Sequence, residues 1–169
     1  MTMSKPFIFG IIVFSLVVIA GSYLLVAGGK QKSPAVAASY YKLNDKEKPR
    51  AEVKELFKDM GTIKVSDQKS EDFVVKNGGG KPLQLSQISS SCGCTVAQVI
   101  IEGKESEEFG MHSQSDYIAE IAPQKQATVK VTYRPYVMPV YGPVDREVYI
   151  TTNDPENTKL VFKIKATVK

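Results

Sequence analysis

"KLVFKIKATV", residues 159–168, decides the fold. Leu160, Phe162, Ile164, Ala166 and Val168 fall on one side of an extended chain, and Lys163, Lys165 and Thr167 on the other. A period of two is the signature of a strand with one buried and one wet face. "ATVKVTY" repeats the pattern: Ala127, Val129, Val131 and Tyr133 alternate with Thr128, Lys130 and Thr132. Working outward, "REVYITT" ends at "NDPEN", where Asn, Asp and Pro supply turn chemistry. "DFVVKN" stops at "GGGKP", and "LQLSQI" sets Leu83 and Leu85 on one face. "TVAQVII" and the short "YIAEI" follow, separated by a polar insertion over residues 102–115. "RPYVMPVYGP" carries three prolines and reads as a loop or an irregular edge. Short alternating strands separated by turn signals predict an all-β, antiparallel β-sandwich of about seven to eight strands.

The N-terminus has a different character. Residues 7–27, "FIFGIIVFSLVVIAGSYLLVA", carry no charged side chain. About 21 residues at about 1.5 Å each span roughly the 30 Å hydrocarbon core of a bilayer. A cleavable signal has a shorter apolar run followed closely by a small-x-small site. Here Ala35-Val36-Ala37 stands well past the run. The expectation is therefore an uncleaved signal-anchor, a single transmembrane helix within 1–29, with a cleaved signal peptide as the alternative. Lys5 precedes the span and Lys30 and Lys32 follow it, so flanking charge does not orient it. Residues 30–49 are polar and aperiodic and read as a flexible tether. Residues 50–169 form the sandwich domain. Within it, "PRAEVKELFKDMG" is ambiguous, because Val53, Leu56, Phe57 and Met60 share one helical face.

A formal net charge of +4 is mild and carries no basic helix or aromatic-basic strand, so nucleic acid is not an expected partner. The basic residues of 30–58 are interleaved with acids and read as a solvated stalk.

Both cysteines lie in "SSSCGCT", with Gly93 between Cys92 and Cys94. A disulfide between them would close a small ring, which i, i+2 neighbours in a strand do not easily reach. As thiolates, the two can face one soft metal ion, with Gly93 easing the bend. Met111 and His112, the latter the only histidine, add two more donors. Cys92, Cys94, His112 and Met111 suit Cu(I), with zinc as the alternative and Met138 a weaker spare. Against this, buried cysteines often serve as small apolar fillers. Redox work by the thiols ranks below both, since redox pairs are usually Cys-x-x-Cys at a helix start. The lone histidine has no nucleophile elbow to serve, and "NGGGKP" lacks phosphate-loop spacing, so no enzymatic activity is expected.

"FKDMGTI", "FVVKNGGGKPLQL", "SSSCGCT", "IAPQKQATVKVTYRP", "VYITTNDP" and "KIKATV" together resemble a widespread bacterial family, the domain of unknown function fifteen seventy-three. The resemblance runs over roughly residues 51–169. It implies an immunoglobulin-like domain of the sperm-protein and cilium-associated type, placed outside the cytoplasm behind a signal or membrane anchor. It also implies strand rather than helix over "AEVKELFKDMGTI". It supplies no function. Two roles follow as expectations: a membrane-anchored extracytoplasmic module binding copper through Cys-Gly-Cys, or a structural or protein-interaction domain of the cell envelope with its cysteines in the core.

Overall fold

The computed structural model describes residues 13–18, 37–113 and 115–169. Met1–Ala35 and Val36–Lys169 are separate compact units. In the first, residues 13–18 are helical. The rest of the expected anchor lies outside the described residues, among which no helix is long and apolar enough to cross a membrane.

The second unit is a sandwich of two five-stranded sheets. Its strands are β1 (Ala51–Val53), β2 (Phe57–Ile63), β3 (Lys69–Asn77), β4 (Leu83–Ser90), β5 (Thr95–Ile101), β6 (Lys104–Glu105), β7 (Ile118–Ile121), β8 (Gln126–Tyr133), β9 (Gly142–Thr152) and β10 (Lys159–Val168). One sheet runs β1-β3-β8-β5-β6 and the other β2-β10-β9-β4-β7. All pairs are antiparallel except β2 with β10. The ten strands exceed the expected seven to eight because β1 and β6 are too short for an alternation to show.

The alternating runs do as their period requires. Leu160, Phe162, Ile164, Ala166 and Val168 are buried from one sheet, Ala127, Val129, Val131 and Tyr133 from the other. Across the interface the rings of Phe73 and Phe162 meet at 5.0 Å. Each such side chain contributes about 1.5–3 kcal/mol by leaving water. Residues 51–53 and 57–63 are strand, as the family resemblance implies and against their helical spacing. β1 and β2 belong to different sheets, with a bend between them, so the four apolar residues never share a face. Met60 is buried while Leu56 and Phe57 are exposed.

Residues 37–49, the described part of the expected tether, are fastened to the sandwich. Gln84 Nε2 donates to the Ala37 carbonyl and its Oε1 accepts from Ser39 N–H. Asn153 Nδ2 donates to Ser39 Oγ. The polar insertion is fastened too: Phe109 is buried, bridges Ala97 and stacks on Tyr117 at 5.1 Å.

Candidate functional site

The two sheets are joined between β4 and β5 by the cysteine turn. β4 sets up its geometry. Its early residues bury Leu83 and Leu85, but its pairing with β9 shifts between Ser86 and Ser89, and Gln87 takes φ 48°. Such a bulge re-aims the residues after it. Ile88, Ser90 and Cys92 consequently face inward, where strict alternation from Leu85 would have put Gln87 and Ser89.

The turn is held by backbone and hydroxyl bonds. Ser90 Oγ faces two carbonyls, Cys92 at 2.8 Å and Thr95 at 2.7 Å. Thr95 N–H closes the turn onto the Cys92 carbonyl. Ser91 N–H donates to the Glu147 carbonyl, and Glu147 N–H returns a bond to Ser91 Oγ. Arg134 N–H donates to the Cys94 carbonyl. The turn is thus tied to β9 on one sheet and to the end of β8 on the other.

Cys92 and Cys94 are joined by a disulfide, with no free cysteine remaining. This corrects the expectation that so small a ring would not close. The cysteines do not sit in an extended strand, where i, i+2 Cα atoms stand about 6.6 Å apart. The turn draws them to 5.2 Å, inside the range a disulfide tolerates. Gly93 was expected to relieve a backbone clash. It does not need to: a Cβ there would meet nothing nearer than Met138 Sδ at 4.0 Å.

Around the sulfurs stand groups of unequal character. Cys94 is 1% exposed and Cys92 9%. The Thr95 hydroxyl lies 3.4 Å from Cys92 Sγ and 3.9 Å from Cys94 Sγ, and since neither sulfur carries a proton the hydroxyl is the donor. Arg146 Nε donates to Cys94 Sγ at 3.3 Å. Its guanidinium also stacks over the buried Tyr133 ring, 5.7 Å from the centroid. The Tyr133 hydroxyl has no hydrogen-bond partner among the described residues. Arg146 was not singled out from the sequence, although a signal was present. It stands in phase with Val144, Val148 and Ile150, all buried, so a cation occupies the inward face of β9.

Met111 and His112 sit on an exposed turn, closed by Ser113 N–H onto the Gly110 carbonyl and by Gly110 N–H onto Ser113 Oγ. That turn runs beside the start of β5, where Gly110 faces Val96 and the Thr95 carbonyl. Among the described residues no three His, Cys, Asp or Glu side chains gather as a metal site. Near Gly93 lies the β8–β9 loop, a 3-10 turn at Pro135–Val137 followed by Met138 to Tyr141. Tyr136, Val137, Met138, Val140 and Tyr141 are 43–69% exposed. The loop's base is fixed by a two-pronged Arg134–Glu108 pair, which holds the Glu108 carboxyl below its ordinary range.

Residues 51–110, which contain the disulfide, match the family described as protein of unknown function (DUF1573). The match covers about a third of the chain. The DUF1573 match covers β1 to β5 and β6, and ends at Gly110, short of Arg146 and the apolar loop. No curated protein matches the chain. Among solved structures it is similar to a protein of unknown function from Porphyromonas gingivalis W83, at 19% identity and a TM-score of 0.54. That likeness covers 80% of this chain and 51% of the other, so the chain spans about half of that protein's length. A PapD-like domain of human CEP192 matches at 12% identity and TM-score 0.48, over 80% of this chain and 98% of that domain. At 19% identity the likeness to the Porphyromonas gingivalis protein is one of fold alone.

Proposed function

We propose that this protein is a cell-envelope module. Its N-terminal apolar segment is a single-pass membrane anchor, its immunoglobulin-like domain stands outside the cytoplasm, and the cysteine-turn end of that domain binds another envelope protein. The observation that carries this reading is the disulfide, with both cysteines in the hydrophobic core. Disulfides persist in oxidising compartments and are rare in the cytosol. The exposed apolar loop beside the turn supports it, because contiguous apolar surface marks an interaction site.

Ala37 and Ser39 are held by Gln84 and Asn153, at the start of β4 and just past the end of β9. The cysteine turn follows the far end of β4, and the apolar loop precedes β9. Within the sandwich domain the cysteine turn therefore lies at the other end from Ala37 and Ser39. The test is alkylation of intact cells at neutral pH, with and without an external reductant. The expected result is a pair that resists a membrane-impermeant thiol reagent until an external reductant is added, and is then modified without lysis. Labelling only after lysis would place the domain inside.

A second reading keeps the soft-metal role for the reduced protein. Two thiolates released at one turn, with Met138 Sδ about as near to Gly93 as a side chain comes, would offer sulfur donors suited to Cu(I), with Met111 and His112 on the neighbouring turn. Anaerobic titration of the reduced full chain with Cu(I) tests this. A reduced chain that binds no copper ends it.

A further inference from the structure

We propose that Cys92–Cys94 is an exchangeable redox bond, attacked at Cys92 by a dithiol-bearing protein, with Cys94 as the leaving sulfur and Arg146 as the residue that receives its charge. This rests on the reading above, in which the cysteine-turn end faces a partner outside the cytoplasm.

Four observations lead here. The bond spans three residues and cross-links no distant segments, so it constrains the unfolded chain far less than a long-range disulfide does. The turn does not need it for shape, since Ser90, Ser91 and Cys94 are already tied to Thr95, Glu147 and Arg134. The two cysteines are unequal, Cys92 being 9% exposed and Cys94 1%, and exposed Gly93 leaves the rim between them without a side chain. Finally, the one cation on the inward face of β9 spends its Nε on Cys94 Sγ. Among the described residues no carboxylate forms an ion pair with Arg146, whereas adjacent Glu147 is paired with Lys163. A guanidinium beside a sulfur favours the thiolate.

The chemistry balances as a two-electron exchange. A partner thiolate attacks Cys92 Sγ, a partner-to-Cys92 bond forms, the Cys92–Cys94 bond breaks, and the electron pair stays on Cys94 as a thiolate beside Arg146. The partner's second thiol, having lost its proton, attacks its own sulfur in the mixed disulfide and releases Cys92. The partner dithiol is oxidised to a disulfide, the cysteine pair is reduced, and the partner's two protons are available to the two freed thiolates. Arg146 acts through Cys94 and is a positioning residue.

The experiment uses the oxidised full chain in detergent, at neutral pH without denaturant, with dithiothreitol as the dithiol. Remaining disulfide is read by alkylation and mass. The expected result is complete reduction of the folded chain, at least ten-fold slower for Arg146→Gln and largely restored by Arg146→Lys. In a parallel measurement, Cys94→Ala should be alkylated at Cys92 at least ten-fold faster than Cys92→Ala is at Cys94. The wild-type arm needs no variant to fold. A disulfide that stays intact until denaturant is added overturns the proposal, as does an unchanged rate for a folded Arg146→Gln. Either result leaves the envelope-module reading standing, because oxidation state and topology in cells are measured separately.

Discussion

The two ends of the sandwich are built on opposite rules. At the end where the chain enters, polar side chains are buried and satisfied. Asn77, fully buried, accepts from Arg50 and Gly79 N–H and donates to the Lys81 and Ile121 carbonyls. Asp154, equally buried, accepts from Ala51 N–H, Glu156 N–H and Asn157 Nδ2. At the other end the apolar loop lies open to water and a cation points at a disulfide. Saturated polar networks specify a fold and offer nothing to a ligand. Exposed apolar surface around a reactive bond costs stability and is kept where something binds. The motif "NDP" thus belongs to architecture, and in the proposed reading "CGC" belongs to function, although both stand out equally in the sequence.

That contrast can be broken by substitution. The largest expected effect is at the polar end. Asp154→Ala removes the acceptor of three bonds and should cost about 3 kcal/mol, roughly 10 °C in Tm, by thermal unfolding. Replacing both cysteines with alanine should cost less, about 1.5 kcal/mol, since the loop-closure entropy of so short a ring is small. A loss larger than that of Asp154→Ala would make the disulfide architectural and erase the distinction.

Smaller still is the Arg134–Glu108 pair. Arg134 holds the Glu108 carboxyl below its ordinary value, so the pair's contribution is present above the unfolded carboxylate pKa, near 4.5, and is lost as pH falls through the lower folded value. The pair is partly exposed, so the term is under about 1 kcal/mol. The stability gap between wild type and Glu108→Gln should therefore be small at neutral pH and close in acid. Smallest is Tyr141→Ser in the loop, expected within about 0.5 kcal/mol of wild type. It should nevertheless weaken capture of the native partner in a membrane pull-down. A large stability loss there would mean the loop is core.

How much of this was legible follows the physics of each segment. β8 and β10 lie mid-sheet with one buried and one wet face, so their alternation is clean and the sandwich could be read from them. In residues 51–63 the spacing alone suggested a helix and only the family resemblance pointed to strand, because two short strands with a bend reproduce a helical periodicity by accident. The bulge at Gln87 was hidden, since a non-glycine residue with positive φ leaves no compositional trace, and it decides which way Ser90 and Cys92 point. Phe109 sat among charges, yet it is drawn into the core by pairing with Ala97. The disulfide was judged from strand geometry when the turn sets the distance. Arg146 was the readable signal that was missed, a charge in the apolar phase of "VDREVYI". Apart from residues 13–18 the expected anchor falls outside the described residues, and the structure does not test it.

Backbone amide NMR of the full chain in detergent, recorded before and after dithiothreitol, tests the division between the two ends most directly. The account predicts shifts at residues 90–95, 134–141 and Arg146, with Asn77, Asn153 and Asp154 unmoved and the fold retained. Shifts that spread to Asn77 and Asp154, or a reduced chain that loses its dispersed spectrum, would contradict it.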